Sequence, residues 1–141
     1  MINTLNELSY DDISIGQQES FMIKITESMV EKFSNLSGDL NPLHMDNEFA
    51  ESSSFKKRIV HGMLLASFFS QLIGMKLPGK NALYFSQTLN FRSPCYIDDK
   101  IEIIGEVIEK SDSTKIITIS TSIFNKSKTC LIDGIAKIIV K

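Results

Sequence analysis

The chain has 141 residues, 43% of them hydrophobic and 23% charged, and its formal net charge at pH 7 is −2. These values are typical of a soluble globular protein, so we expect a single domain over residues 1–141. The small negative charge argues against a nucleic-acid-binding surface, and no apolar run approaches the roughly 20 residues that a membrane span requires.

The first predicted elements are a strand and a helix. Apolar and polar residues alternate over residues 18–25, which predicts a strand. A helix should follow, with Thr26 or Ser28 as its N-cap, because Ser28 and Glu31 have the spacing of a capping box. Gly38 is expected to end this helix.

The next stretch is polar and then strongly apolar. Residues 39–58 are predicted to be irregular, since Pro42 disfavours a regular helix, although Asp46 is suited to cap a short helical turn. Residues 62–73 are apolar almost all round, which predicts a helix buried on every side. Gly74, and then Pro78-Gly79, are expected to end that helix.

The remaining chain predicts strands at residues 83–91, 100–109, 115–124 and 129–140, with Gly134 as a bulge or bend. Short connections favour antiparallel neighbours in one long sheet. Such a sheet needs an apolar filling on its concave face, and the helix predicted at residues 62–73 supplies it. The fold class is therefore α+β, with the hot-dog arrangement of a sheet wrapped around one helix.

A carboxylate and one of only two imidazoles lie close together in the irregular stretch. Asp39 and His44 have two possible roles: a turn-forming Asp beside a packed His, or a general acid/base pair around one water. Histidine suits acid/base chemistry because its unperturbed pKa lies near neutrality. Asn41 between them is suited to orient Asp39, to bind substrate, or to satisfy the loop's own backbone.

The start of the apolar helix offers a second kind of chemistry. Gly62 is suited to present backbone N–H donors at the positive end of the helix, where they stabilise a developing oxyanion. The alternative is close packing of the helix against the sheet. Ser70, two turns on, lies roughly in line with Gly62; its alternative is a buried hydroxyl bonded to the carbonyl four residues back.

Two further features near this helix are expected to have no direct part in catalysis or binding. His61 has no evident acid/base partner in the sequence, so we expect it to be structural. Residues 56–58 (Lys-Lys-Arg) are expected to be a solvated loop, with contact to the phosphates of an anionic carrier as the alternative.

Residues 37–44 (Ser-Gly-Asp-Leu-Asn-Pro-Leu-His) and 59–67 (Ile-Val-His-Gly-Met-Leu-Leu-Ala-Ser) together resemble the site of the MaoC-like (R)-specific enoyl-CoA hydratases. The resemblance implies that Asp39 and His44 are the catalytic residues and that the Gly62 N–H holds the thioester oxygen. It also places Ser70 with the site. One departure is Arg58, where many relatives carry proline, which puts the substrate entrance and chain-length preference in doubt.

The resemblance implies a hydro-lyase that adds water reversibly to trans-2-enoyl-CoA to give (R)-3-hydroxyacyl-CoA. It implies no metal or redox cofactor, since coenzyme A or the phosphopantetheine of an acyl carrier protein is part of the substrate. The alternatives are a 3-hydroxyacyl-[acyl-carrier-protein] dehydratase, a thioesterase that aims water at the carbonyl carbon, and a non-catalytic acyl-CoA-binding hot-dog protein. The catalytic residues do not separate coenzyme A from a carrier protein.

Assembly and compartment are predicted from simpler features. One sheet with one helix leaves a sheet edge and an apolar flank exposed, which favours a homodimer, and the resemblance implies that the site lies near its interface. Cys95 and Cys130 have neither metal-ligand spacing nor a dense disulfide pattern, which predicts reduced thiols in a cytoplasmic protein. The start of the chain, residues 1–7, lacks the features of a signal peptide.

Overall fold

The structure is a computed structural model and describes residues 4–141. Residues 1–3, which the predicted domain and the signal-peptide argument include, lie outside the described residues. In chain order the elements are a 3₁₀ turn Tyr10–Asp12, β1 Gln18–Lys24, α1 Glu27–Ser37, α2 Pro42–Met45, α3 Asn47–Ser52, α4 Gly62–Gln71, a π-helical turn Leu72–Lys76, β2 Ala82–Gln87, β3 Asn90–Phe91, β4 Lys100–Ser111, β5 Ile116–Asn125 and β6 Cys130–Val140. Within residues 4–141 none of the helices is long and apolar enough to cross a bilayer.

The strands form one antiparallel sheet in the order β1-β4-β5-β6-β2, with β3 also paired to β6. The predicted α+β sheet with a helix packed on it is confirmed. The strand predicted at residues 83–91 is split into β2 and β3, however. Thr88 interrupts it by bonding Ile135 twice: its N–H donates to the Ile135 carbonyl at 2.9 Å, and its Oγ1 accepts from the Ile135 N–H at 2.9 Å.

Gly134 has a different role from the predicted bulge. It stays in register opposite Thr121, and the irregular pairing of β6 with β5 lies near Leu131 instead. A Cβ at Gly134 would overlap the carbonyl oxygen of Thr88. The glycine is therefore needed because another backbone crosses it closely.

The predicted central helix packs one face on the sheet. Leu64, Leu65 and Phe69 of α4 are buried, and Leu72 and Ile73 of the π-helical turn continue the same apolar surface. The prediction that this helix is buried on every side is wrong for the single chain. Its outer face stays open, and it carries the exposed side chains Met63, Ser67 and Ser70.

The helix ends were predicted with mixed success. Thr26 is the N-cap of α1, since its Oγ1 accepts from the Met29 N–H at 3.2 Å, so the capping box proposed for Ser28 is wrong. Gly38 ends α1 in the left-handed conformation, as predicted, with φ 80°. Gly74 does not end the central helix, because the chain widens into the π-helical turn and continues to Lys76.

Candidate active site

Two short helices shape the segment that carries the predicted acid/base pair. Pro42 is the first residue of α2, and the side chain of Asn41 caps this helix by accepting from the Leu43 N–H at 3.0 Å. The expectation that Pro42 keeps this segment irregular is wrong, because proline at the first helical position fits the helix and sacrifices no hydrogen bond. Asp46 caps α3 as predicted, accepting from the Glu48 N–H at 2.9 Å.

Asp39, which follows the end of α1, faces His44 of α2. The Oδ2 of Asp39 lies 4.0 Å from the Nε2 of His44, and their side chains are 50% and 14% exposed. The separation is too long for a direct hydrogen bond, but one water can reach both atoms with bonds of about 2.7–3.0 Å. The carboxylate and the imidazole are therefore far enough apart for one water molecule to bind between them.

The other ring nitrogen of His44 fixes its tautomer. Nδ1 lies 2.8 Å from the carbonyl oxygen of Ile59. A carbonyl only accepts, so Nδ1 carries the proton and donates it, which leaves the lone pair of the neutral ring on Nε2. The Asp39 carboxylate and the His44 Nε2 are thus both hydrogen-bond acceptors that face the same space. One water molecule there can donate one hydrogen bond to each of them.

Asn41 contacts Asp39 through its backbone. Its N–H donates to Oδ1 of Asp39 at 3.2 Å, while its side chain is used as the α2 cap. The structure thus contains contacts that fit two of the alternatives left open by the sequence, the orientation of Asp39 and the satisfaction of the local backbone.

His61 was expected to be structural, and the structure places it directly behind the pair. It is 2% exposed, and its Nε2 lies 3.1 Å from both the Asp39 carbonyl oxygen and the Ser34 Oγ. Its ring stacks on that of His44, with 3.9 Å between centroids. Burial lowers the pKa of His61, which favours the neutral form of the ring. Neither histidine lies near the other in sequence, so no local spacing signalled this contact.

The same three residues offer the groups that a metal would use. Asp39, His44 and His61 have potential ligand atoms within 4.8 Å of one another. Imidazole lone pairs lie in the ring plane, however, and the two stacked rings are only 27° from parallel. Their nitrogens therefore do not converge on an ion at the distance of about 2.0–2.1 Å that a zinc site requires. The cluster is better suited to hold a water.

Gly62 begins α4 directly after His61. The side chain of the N-cap residue His61 makes no cap hydrogen bond, although its backbone carbonyl accepts from the Leu64 N–H at 3.1 Å. Gly62 also borders a largely apolar cavity of about 470 Å³, whose lining includes Val60, Leu65, Phe91, Leu131 and Ile132. A Cβ at Gly62 would lie 2.5 and 2.6 Å from two ring atoms of Phe91, so the packing alternative also has a physical basis.

Ser70 lies apart from the acid/base pair. It is exposed on the outer face of α4, in a surface groove shared with Ser67, Gln71 and Met75. Among residues 4–141 no hydrogen bond joins it to Asp39, to His44 or to the carbonyl four residues back. The alternative of a buried, back-bonded hydroxyl is therefore wrong for the single chain, and the role of Ser70 in the site stays a prediction.

Arg58 is not part of a solvated loop. Its side chain is 8% exposed; its Nε donates to the His44 carbonyl oxygen at 2.6 Å, and its Nη1 donates to Oε1 of Glu27 at 2.7 Å. The guanidinium is therefore not free for the phosphates of a carrier. Lys57 lies over the ring of Tyr96, with its Nζ 4.7 Å from the centroid. Sequence reasoning missed Arg58 because a basic run is usually solvated.

Comparisons with known proteins agree on one family. The sequence profile described as "MaoC like domain" matches residues 13–127. The chain is 37% identical over 127 residues to the (R)-specific enoyl-CoA hydratase of Aeromonas caviae, covering 90% of this chain and 95% of that protein. It is 40% identical over 116 residues to a mitochondrial 3-hydroxyacyl-[acyl-carrier-protein] dehydratase of Arabidopsis thaliana, covering 79% of this chain and 68% of that protein. The unliganded R-hydratase PhaJ1 of Pseudomonas aeruginosa superposes with a TM-score of 0.92 at 33% identity, over 96% of this chain and 87% of that one.

Proposed function

This chain belongs to the MaoC-like domain family, and from that premise we propose that it is an (R)-specific enoyl-CoA hydratase. It is a hydro-lyase that adds water reversibly to a trans-2-enoyl-CoA and gives the (R)-3-hydroxyacyl-CoA. The observation that carries this function is the 4.0 Å separation of the Asp39 carboxylate from the His44 Nε2, with both acceptors facing space for one water.

In the hydration direction, the shared water gives one proton to the Asp39–His44 pair as its oxygen bonds to C3 of the substrate. The electrons of the C2–C3 double bond move toward the thioester, whose oxygen takes the negative charge of an enolate. The N–H of Gly62 stabilises that charge. The pair then returns a proton to C2, which restores the thioester and leaves a hydroxyl at C3.

The reaction moves a proton and a hydroxyl and transfers no electrons, so we propose that it requires no redox cofactor. We also propose that it requires no metal ion, because the stacked rings of His44 and His61 do not direct their nitrogens at one ion. The thioester carrier is part of the substrate. Its acyl chain has an apolar space available in the cavity that borders Gly62. We assign Asn41 the orientation of Asp39 through its backbone N–H, and we propose Ser70 as a substrate-side contact on α4.

A second candidate differs only in the carrier. A 3-hydroxyacyl-[acyl-carrier-protein] dehydratase uses the same pair in the reverse direction, and the Arabidopsis thaliana relative is such a protein by name. Coenzyme A and the carrier protein share the phosphopantetheine arm, so the acid/base pair and Gly62 serve either one. The choice of carrier is decided outside these residues.

We also propose a homodimer. β2 is an edge strand of the sheet and carries the exposed side chains Leu83, Tyr84 and Phe85. Met63, on the open face of α4, is a further exposed apolar side chain. An unpaired apolar edge is stable in water when a second chain covers it. The thioester substrate is the other partner.

The function is tested with purified protein and crotonyl-CoA, following the loss of absorbance of the conjugated thioester. A series of longer enoyl-CoAs and the matching carrier-protein thioesters ranks acyl length and carrier. Turnover of crotonyl-CoA or a longer enoyl-CoA, with the (R)-alcohol as product, is the expected result. Binding of these thioesters without turnover would leave a non-catalytic acyl-CoA-binding protein, and thioester cleavage without hydration would indicate a thioesterase.

A further inference from the structure

We propose that Arg58 is a positioning residue: its buried guanidinium holds α2 so that the His44 imidazole faces Asp39. The proposal rests on the proposed function for its kinetic consequences, but its structural part stands without it. The sequence linked Arg58 to the substrate entrance, whereas the contacts assign it to the acid/base pair.

The contacts of Arg58 run in two directions. Nε donates to the backbone carbonyl of His44 at 2.6 Å, and Nη1 donates to the carboxylate of Glu27 at 2.7 Å. Glu27 is in the first turn of α1, and its side chain is 60% exposed. The guanidinium therefore ties the last turn of α2 to the beginning of α1, and it does so from a buried position.

The residue after Arg58 completes this connection. The Ile59 N–H donates to the Leu43 carbonyl at 3.3 Å, and the Ile59 carbonyl accepts from Nδ1 of His44 at 2.8 Å. Residues 58 and 59 thus contact α2 at two main-chain carbonyls and at the catalytic ring itself. A shift of Arg58 moves the backbone from which the His44 ring extends.

α2 depends on such outside contacts because it has only four residues. A helix of one turn is not stable by itself, and its last carbonyls have no partner within the helix. A cation at the C-terminal end satisfies such carbonyls and interacts favourably with the helix dipole. Arg58 does both at His44, so it supplies an orientation that α2 cannot supply alone.

Arginine suits this position better than lysine. Its planar group presents Nε and Nη1 in fixed, divergent directions, which matches one carbonyl and one carboxylate at once. A lysine ammonium is a compact point charge on a flexible stem. Arg58→Lys therefore retains the charge and loses one of the two contacts.

The test compares Arg58→Met and Arg58→Lys with wild type, using Lys80→Met as the matched control. Lys80 also pairs with a carboxylate, Glu7, at 2.8 Å, but it is 62% exposed. We expect Arg58→Met to lower kcat on crotonyl-CoA by at least about tenfold with KM within about twofold, because small displacements of catalytic groups are costly. Arg58→Lys should be intermediate, and Lys80→Met should match wild type.

The second measurement does not depend on activity. The chain has two histidines, so ¹⁵N-histidine labelling gives two rings, and His61→Gln assigns them. In wild type the ¹⁵N chemical shifts of His44 should be those of a ring protonated at Nδ1. In Arg58→Met the two shifts should lie between the values of the two tautomers, because both are populated. If Arg58→Met does not fold, Glu27→Ala, at an exposed side chain, replaces it and should give the same change to a smaller extent.

Unchanged kcat together with unchanged His44 ¹⁵N shifts in Arg58→Met would overturn the proposal. A loss confined to KM would also overturn it, since Arg58 would then act on substrate binding. A wild-type protein that binds and does not turn over enoyl thioesters would refute the proposed function alone, because the ¹⁵N shifts still decide whether Arg58 positions His44.

Discussion

The imidazole rings of His44 and His61 are stacked, with 3.9 Å between their centroids and 27° between their planes. The Nε2 of His61 also lies 3.1 Å from the backbone carbonyl of Asp39. One buried ring therefore touches both members of the proposed acid/base pair. Because burial lowers its pKa, this ring supports the pair as a neutral group and adds no charge behind it.

The lowered pKa of His61 predicts a pH dependence of stability. The unfolded chain, in which histidine has its ordinary pKa of about 6.5, binds the proton more readily than the folded chain does. The stability contribution is therefore fully present above about pH 6.5 and is lost as the pH falls below it. His61→Gln retains an amide N–H in place of Nε2–H and removes the titration. Its Tm should fall less than that of wild type between pH 6.5 and 5, whereas parallel curves would assign the acid sensitivity to carboxylates.

Removing either member of the pair should abolish most of the activity. Asp39→Asn retains an acceptor for the Asn41 N–H, and His44→Asn retains a donor for the Ile59 carbonyl. Each variant should lower kcat by at least about a hundredfold, the scale of a lost general acid/base group. The double variant should cost far less than the product of the two single effects, because the residues act as a unit.

The control for this pair lies in the same segment. The Asp46 carboxylate caps α3 by accepting from the Glu48 and Phe49 N–H groups. Asp46→Ala should therefore lower the free energy of unfolding by the cost of a lost cap, about 1 kcal/mol, and leave kcat close to wild type. Near wild-type turnover in Asp39→Asn or His44→Asn would remove the proposed mechanism. Equal losses in all three variants would point to a general effect on folding.

A side chain at Gly62 should block the proposed oxyanion site. Gly62→Ala is expected to lose most of its kcat/KM and Gly62→Val essentially all of it, because the thioester oxygen must come within about 3 Å of the N–H. The melting temperature should change little with alanine, since the clash is with the half-exposed Phe91 ring, which can move.

The ring contact provides the control for this variant. Phe91→Ala removes the atoms that the new methyl group meets. If Gly62→Ala regains full activity in the Phe91→Ala background, or loses activity only in proportion to its stability, Gly62 is a packing glycine. Persistent loss in the double variant at a normal melting temperature is the expected result.

The apolar edge of the sheet should be covered in solution. Light scattering at micromolar concentration is expected to give twice the mass of the chain, and Phe85→Glu on β2 should shift the protein toward monomer, because it places a charge at the contact. Ile15→Glu, at another exposed apolar residue, is the matched control. A wild-type monomer that turns over substrate would contradict the dimer.

Local chemistry in the sequence predicted much of this fold. Gly38 ends α1 through a left-handed conformation, Asp46 caps α3, and the alternating stretches of β4, β5 and β6 formed strands because each of these signals acts within a few residues. Asp39 and His44 were placed together for the same reason, since only four residues separate them.

The features that the sequence did not predict depend on contacts between distant segments. His61 contacts Asp39 and His44 across 22 and 17 positions of sequence, and Arg58 is hydrogen-bonded to Glu27 and to the His44 carbonyl in two other segments. The open face of α4 was missed because apolar composition does not say whether the same chain or a second one supplies the cover. Such information resides in tertiary packing and not in residue spacing.

Gly134 is not one of the proposed catalytic or substrate-binding residues, yet the structure allows only glycine at this position. Even a methyl group there would displace the backbone at Thr88, and the strand that resumes two residues later carries Phe91 to the edge of the cavity beside Gly62. If position 134 were randomised under selection for turnover, glycine would be recovered, while the neighbouring Ile135, 36% exposed, would tolerate many replacements. The dimensions of the cavity beside Gly62 therefore depend in part on the absence of a side chain at position 134.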